Sequence, residues 1–274
     1  VIDNLSKVEP SIIYLYGDGP RDYKGQHEQK LVEQSRIIAT QINWKCKIKK
    51  KFMYHNLGGP KAGYDSISWF FSSENQGIIL EDDCIPNTDF FKFCDELLEY
   101  YKDDNRVGQV TGSNFQNENI RGDASYYFSK YTHTWGWATW RRSFLNWKLI
   151  LKNWPEIKKS KLLENYYNDK VEKKYWEKIF DDLNNGISVH WDYSWMLKQW
   201  IDGSLTATPN KNLVINIGYD ESATHELDPT SELRNLKLEK IENIIHPDEI
   251  KVNTLADIFA FDFVYKGQIY RFPG

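Results

Sequence analysis

The 274 residues suffice for one large α/β domain that buries its own core, and 35 basic against 39 acidic residues leave a formal charge of −4 with no basic block to carry a phosphate backbone, which excludes nucleic acid as the expected partner. Three cysteines, Cys46, Cys84 and Cys94, lack the paired spacings of a zinc site or disulfide framework, and no stretch has the length or apolarity of a membrane span, so the chain reads as cytoplasmic. Aromatic residues make up 15% of the chain, eleven of them tryptophan, while the mean hydropathy is −0.65, so many rings must lie near the surface.

In chain order, Ser11 to Tyr16 is an apolar and aromatic run stopped by Gly17, Asp18, Gly19 and Pro20, which predicts a strand entering a turn. Leu31, Ser35, Ile38 and Ile42 recur at helical spacing, which predicts an amphipathic helix over His27 to Ile42 with that stripe turned inward. Even spacing of Cys46, Ile48 and Phe52 predicts a second strand, and Tyr64, Ile67, Phe70 and Phe71 mark a second helix. Gly77 to Leu80 is short and wholly apolar, as a strand covered on both faces should be. A helix with Phe90, Phe93, Leu97 and Tyr101 follows, started by Pro86, Asn87 and Thr88, and Arg106 to Thr111 supplies a fourth strand.

This alternation predicts a mostly parallel, doubly wound sheet that gathers its ligands at the carboxyl ends of its strands. From Gly112 to Trp154 the pattern dissolves, which suggests a functional insert. Helices resume between Pro155 and Leu183 and again after Trp191, and the tail from Leu233 is more charged. The predicted division is a catalytic domain over residues 1–230 and a C-terminal extension over residues 231–274. The first residue is Val1 rather than Met, which leaves open a segment upstream.

Glu81, Asp82 and Asp83 follow the apolar strand directly, and such crowding is costly unless a cation shares the place. Hard oxygen donors suit Mg2+ or Mn2+ with positions left for substrate phosphates; a solvated acidic turn is the alternative. Asp18 and Arg21 in the first turn could read a base or hold a phosphate, or form a turn salt bridge. Asn56, Gly58 and Lys61 in the next turn offer close backbone approach and a cation for phosphate. In H-T-W-G-W-A-T-W, residues His133 to Trp140, the rings of Trp135, Trp137 and Trp140 could stack on sugar faces or pack a hydrophobic corner. Asp192 precedes an amphipathic run, where it could cap the helix or act as a base. His225 sits in a polar stretch after Leu213 to Ile217, where it could close a metal shell.

These segments resemble bacterial GT-A-type nucleotide-diphospho-sugar transferases related in their acidic motif to the animal N-acetylglucosaminyltransferase I enzymes. The matching pieces are D-G-P-R at Asp18, N-L-G at Asn56, W-F-F at Trp69, G-I-I-L-E-D-D-C at Gly77, G-S-N-F at Gly112, W-G-W-A-T-W at Trp135, W-D-Y at Trp191, and N-L-V-I-N-I-G with A-T-H between Asn212 and His225. The resemblance implies a GT-A fold, a Rossmann-like mixed sheet flanked by helices, with Ser11 to Tyr16 as its first strand or with a first strand lacking. It implies a nucleotide-diphosphate sugar as donor and a carbohydrate or glycoconjugate hydroxyl as acceptor, without a membrane span but with the inner membrane face as a place of peripheral association. On that reading Asp83 and His225 ligate the metal, while Glu81, Asp82, Asp18, Arg21, Asn56, Gly58 and Lys61 hold the donor. Asp192 is the base of an inverting displacement, and His133, Trp135, Trp137 and Trp140 shape the acceptor side. A glycoside hydrolase, or a non-catalytic sugar- or nucleotide-binding relic, would share parts of the same pattern.

Overall fold

The structure, a computed structural model, describes residues 1–187, 190–218 and 232–271. A short helix α1 (Ile2–Leu5) precedes β1 (Ile12–Gly17), α2 (Gly25–Ala39), β2 (Lys47–Phe52) and α3 (Gly59–Phe71). Then come β3 (Gln76–Ile79), β4 (Cys84–Pro86), α4 (Thr88–Tyr100), β5 (Val107–Thr111), β6 (Tyr126–Ser129), β7 (Trp137–Trp140) and α5 (Arg141–Phe144). The chain continues through α6 (Trp154–Ser160), α7 (Lys170–Asn184), α8 (Trp191–Asp202), β8 (Leu205–Pro209), β9 (Val214–Asn216), α9 (Thr254–Val264) and α10 (Gly267–Arg271).

The molecule is α/β, with a mixed central sheet flanked by helices, compatible with a Rossmann-like arrangement. Its five strands run in the order β3-β7-β5-β8-β6, and only the β5–β8 pairing is parallel. The expectation of a mostly parallel sheet is corrected here: β7, from the stretch read as an irregular insert, lies antiparallel between β3 and β5. Both β6 and β7 are buried at every residue, so they lack the alternation by which a half-buried strand announces itself. β1 and β2 pair in parallel as a separate ribbon, and β4 pairs antiparallel with β9.

Side chains of β7 show how the layers form. Ala138 and Trp140 join the cluster built on α4 with Phe90, Phe93 and Leu97, while Trp137 faces the other way, among Ile67 and Phe71 of α3 and Trp195 of α8. α4 starts in the expected way, with Asn87 Oδ1 accepting the amide of Phe90 at 2.9 Å.

Residues beyond 231 are knitted into this body. Glu239 accepts the amide of Asn212 at 3.0 Å, and Phe261 of α9 is fully buried with Trp176 and Trp200. A second correction concerns α2. The predicted inward stripe is out in solvent, Leu31 and Ile38 being 49% and 61% exposed, while Glu28, Val32, Arg36 and Ala39 are the partly buried positions. Arg36 sets this rotation: its guanidinium donates to the carbonyls of Asp18 at 3.0 Å and Met53 at 2.5 Å and lies over the Phe52 ring.

Candidate active site

The acidic triplet leaves the carboxyl end of β3 in a tight turn, closed by the Cys84 amide donating to the Glu81 carbonyl at 3.2 Å. The turn exists because β4 begins at once and must pair with β9, where Cys84 lies opposite Asn216. Glu81 is partly buried and Asp82 exposed. Burial pushes the Glu81 carboxyl up to about 8, and the like charges of Asp83, then Asp192, then Asp82 push in the same direction. Asp192, more than a hundred residues away in sequence, is thereby brought to the acidic turn.

Asp192 does not cap α8. The N-cap is His190, and Asp192 lies inside the first turn, its Oδ1 4.0 Å from His190 Nδ1. The helix start is anchored through Trp191, whose ring stacks on Trp137 with centroids 6.0 Å apart and planes at 28°. Because Trp137 stands opposite Ile79 on β3, this contact ties the start of α8 to the strand that delivers Glu81.

Asp83 is held from the other side. Its carbonyl accepts the Ile217 amide at 2.9 Å, and its carboxylate lies against Gly218, where an added Cβ would stand 2.5 Å from Oδ2. Only a residue without a side chain fits beside that carboxylate. The chain runs on from Gly218 toward His225, which lies outside the described residues.

The first two turns do something other than wait for a ligand. The Asp18 carboxylate accepts from the amides of Gly19 and Leu57, both at 2.8 Å, from the Gly58 amide at 3.1 Å and from Asn56 Nδ2 at 3.0 Å. D-G-P-R and N-L-G thus form one structural unit that fixes the entry to α3. Arg21 pairs with Glu28 through its Nε at 2.7 Å and its Nη2, the turn salt bridge weighed above, and Lys61 is exposed in the first turn of α3.

The aromatic motif is mostly core. Trp137, Trp140 and His133 are 0%, 2% and 6% exposed, so none has a ring face open to a sugar; Trp135 is partly buried against the α4 cluster. Gly136 carries a φ of 70° and gives way to Val214, whose Cγ2 would be 2.8 Å from an added Cβ. G-S-N-F serves the same packing, with Ser113 donating to the Trp135 carbonyl at 2.9 Å and Asn114 donating to the Pro209 carbonyl at 2.6 Å. Burial lowers the pKa of His133 to about 3, so its ring is neutral.

Sequence reasoning missed a second set of charges. Lys130 Nζ is 2.7 Å from Glu172 Oε1 with both side chains almost wholly buried, and Glu172 also accepts the Asn168 amide at 2.6 Å and the Tyr131 hydroxyl. Asp257 of α9 accepts from Ser129 Oγ at 2.6 Å and from the Lys130 amide at 3.3 Å. Nothing in the sequence marks these residues, because a lysine or glutamate among polar neighbours reads as surface.

The donors at the acidic turn fit a hard divalent cation of the Mg2+ or Mn2+ kind, which takes one or two carboxylates and leaves its other positions to phosphate oxygens and water. Among the described residues, no group of three or more His, Cys, Asp or Glu side chains is placed to hold a metal by itself. No helix among them is long and apolar enough to cross a membrane. A scan against protein-family models and a search of curated proteins gave no match to this chain.

Proposed function

We propose that the chain is a metal-dependent glycosyltransferase of GT-A type that moves a sugar from a nucleotide-diphosphate donor to a hydroxyl acceptor with inversion. The observation that carries this reading is that Asp192 lies close enough to Glu81 to act on its carboxyl together with Asp83 and Asp82, at the carboxyl end of the edge strand β3, the end of the strand at which α/β sheets bind their ligands. Asp83 would hold the cation, with His225 as its expected second ligand. When bound, the cation supplies charge neutralisation to the departing diphosphate.

The chain's own groups do the rest. Asp192, partly exposed at the start of α8, takes the proton of the acceptor hydroxyl as that oxygen forms its bond to the anomeric carbon and the bond from that carbon to the diphosphate oxygen breaks. Trp191, stacked on Trp137, keeps the carboxylate of its neighbour in place. The Asp18 unit orients the entry to α3, and Lys61 is the exposed cation there for a phosphate.

One observation favours a second reading. An acid raised to about 8 beside another carboxylate is also the acid and base pair of a glycoside hydrolase, with Glu81 as acid and Asp192 as base. Calorimetric titration with a panel of nucleoside diphosphates and Mn2+ separates the two. The transferase reading expects metal-dependent nucleotide binding in the parent and its loss in a folded Asp83→Asn variant. A parent that ignores both metal and nucleotide, yet cleaves a glycoside, would establish the hydrolase instead.

A further inference from the structure

The overall charge of −4 conceals a local reversal. Residues 21–54 carry nine basic and three acidic side chains, a surplus of six positive charges in a net acidic chain. Two of these lysines are neutralised, Lys49 by Glu74 and Lys51 by Asp65 on the α3 side of the ribbon, whereas Lys24, Lys30, Lys45, Lys47 and Lys50 are exposed.

The same segment holds apolar side chains that folding does not cover. Leu31, Ile37 and Ile38 of α2 are 49%, 53% and 61% exposed, and no residue of this 15-residue helix is buried. Helical geometry aligns Lys24, Leu31 and Ile38 in one row and Lys30 and Ile37 in the row beside it, since positions seven apart differ by about 20° around the axis. The outward face of α2 is therefore aliphatic and, with Lys24 and Lys30 against the single exposed acid Glu33, basic at once.

We infer that this face docks the protein on the surface of an anionic lipid bilayer, with Leu31, Ile37 and Ile38 entering the headgroup boundary and Lys24 and Lys30 meeting lipid phosphates. Aliphatic side chains among lysines favour a bilayer over a nucleic acid, which would offer no apolar phase to receive them. The charge surplus favours it over a second copy of the same face: with Lys49 and Lys51 neutralised, pairing two copies would still set four positive charges of one segment against four of the other. The inference does not depend on the transferase reading, because it concerns a surface remote in sequence from Glu81 and Asp192.

Cosedimentation of the whole chain tests it, with phosphatidylcholine vesicles containing about one third phosphatidylglycerol against phosphatidylcholine alone. Binding is expected to the anionic vesicles only and to weaken with added salt. Lys24→Glu with Lys30→Glu should lower the partition coefficient by at least about tenfold, and Leu31→Gln with Ile38→Gln by a similar factor. All four positions are exposed, so circular dichroism and thermal midpoint should match the parent. Absence of binding to anionic vesicles at low salt overturns the inference. So does equal binding by the variants, a preference for a single-stranded oligonucleotide over vesicles, or a parent dimer that the Leu31→Gln, Ile38→Gln variant dissociates.

Discussion

Glu81 and Asp257 are both acids that burial drives upward, to about 8 and about 7, yet their surroundings differ in kind. Around Asp257 the protein supplies its own compensation: the Ser129 hydroxyl, the Lys130 amide and the Lys130 ammonium all favour the charged form. Around Glu81 the charged neighbours that act on it are, among the described residues, all acids. The first arrangement is closed on itself and holds α7 and α9 to the end of β6; the second gathers like charges without an opposite one among the described residues. A raised pKa therefore does not by itself mark a site. What separates the two clusters is whether the described fold already provides the opposite charge, and on the reading proposed above that difference marks the functional one.

The sharpest way to break this distinction is Asp192→Asn. If the acidic cluster is catalytic, kcat in a single-turnover assay should fall by about 10²- to 10⁴-fold, since an amide cannot accept the acceptor's proton. Stability should shift by no more than about 0.5 kcal/mol, because Asp192 is not the N-cap of α8. A near-parental rate would move the base elsewhere. The closed cluster should behave in the opposite way. Glu172→Gln removes the carboxylate paired with the buried Lys130 ammonium at 2.7 Å, leaving Asp257 as the acid that acts on it, and should cost about 3 kcal/mol in urea denaturation. An unchanged midpoint would show that this pair is not what holds the helices to the sheet.

A smaller effect tests the aromatic core between them. His133 is neutral because its folded pKa is depressed to about 3 from an ordinary value of about 6.5. A depressed histidine binds fewer protons folded than unfolded, so its contribution is present above the unfolded pKa and is lost as pH falls toward the folded one. Between pH 7 and pH 5 the loss should be about 2 kcal/mol. His133→Gln should flatten that part of the stability profile; a variant with the parental slope would place the acid sensitivity at another group.

Much of the first half of the fold was legible because an apolar run, a capping residue or a turn that stops it marks most of its elements. The run Gly77 to Leu80 announced β3 through its apolarity, although β3 is an edge strand partly buried at every residue rather than one covered on both faces, and Asn87 announced the start of α4. Legibility failed where burial is complete or where a polar group sets the packing. β6 and β7 carry no alternation, and α2 is rotated by Arg36 against the stripe its apolar spacing suggests. The site divides along the same line. The E-D-D turn was readable from its crowding after a strand, and Asp192 from its place before a helix. That they meet, and that Asp18, Trp137 and Trp140 belong to the framework, follows from contacts between residues far apart in sequence.

Gly218 shows what such contacts accomplish. The pairing of β4 with β9 matches Cys84 to Asn216, and the Asp83 carbonyl receives the Ile217 amide. Counting residues along one strand thus fixes a position along the other, so the strand pair works as a ruler with Asp83 at its zero mark. The missing side chain at 218 sets the ruler flush against the carboxylate. Any insertion or deletion between Val214 and Gly218 would misread the scale by a full residue and take Gly218 away from the Asp83 carboxylate.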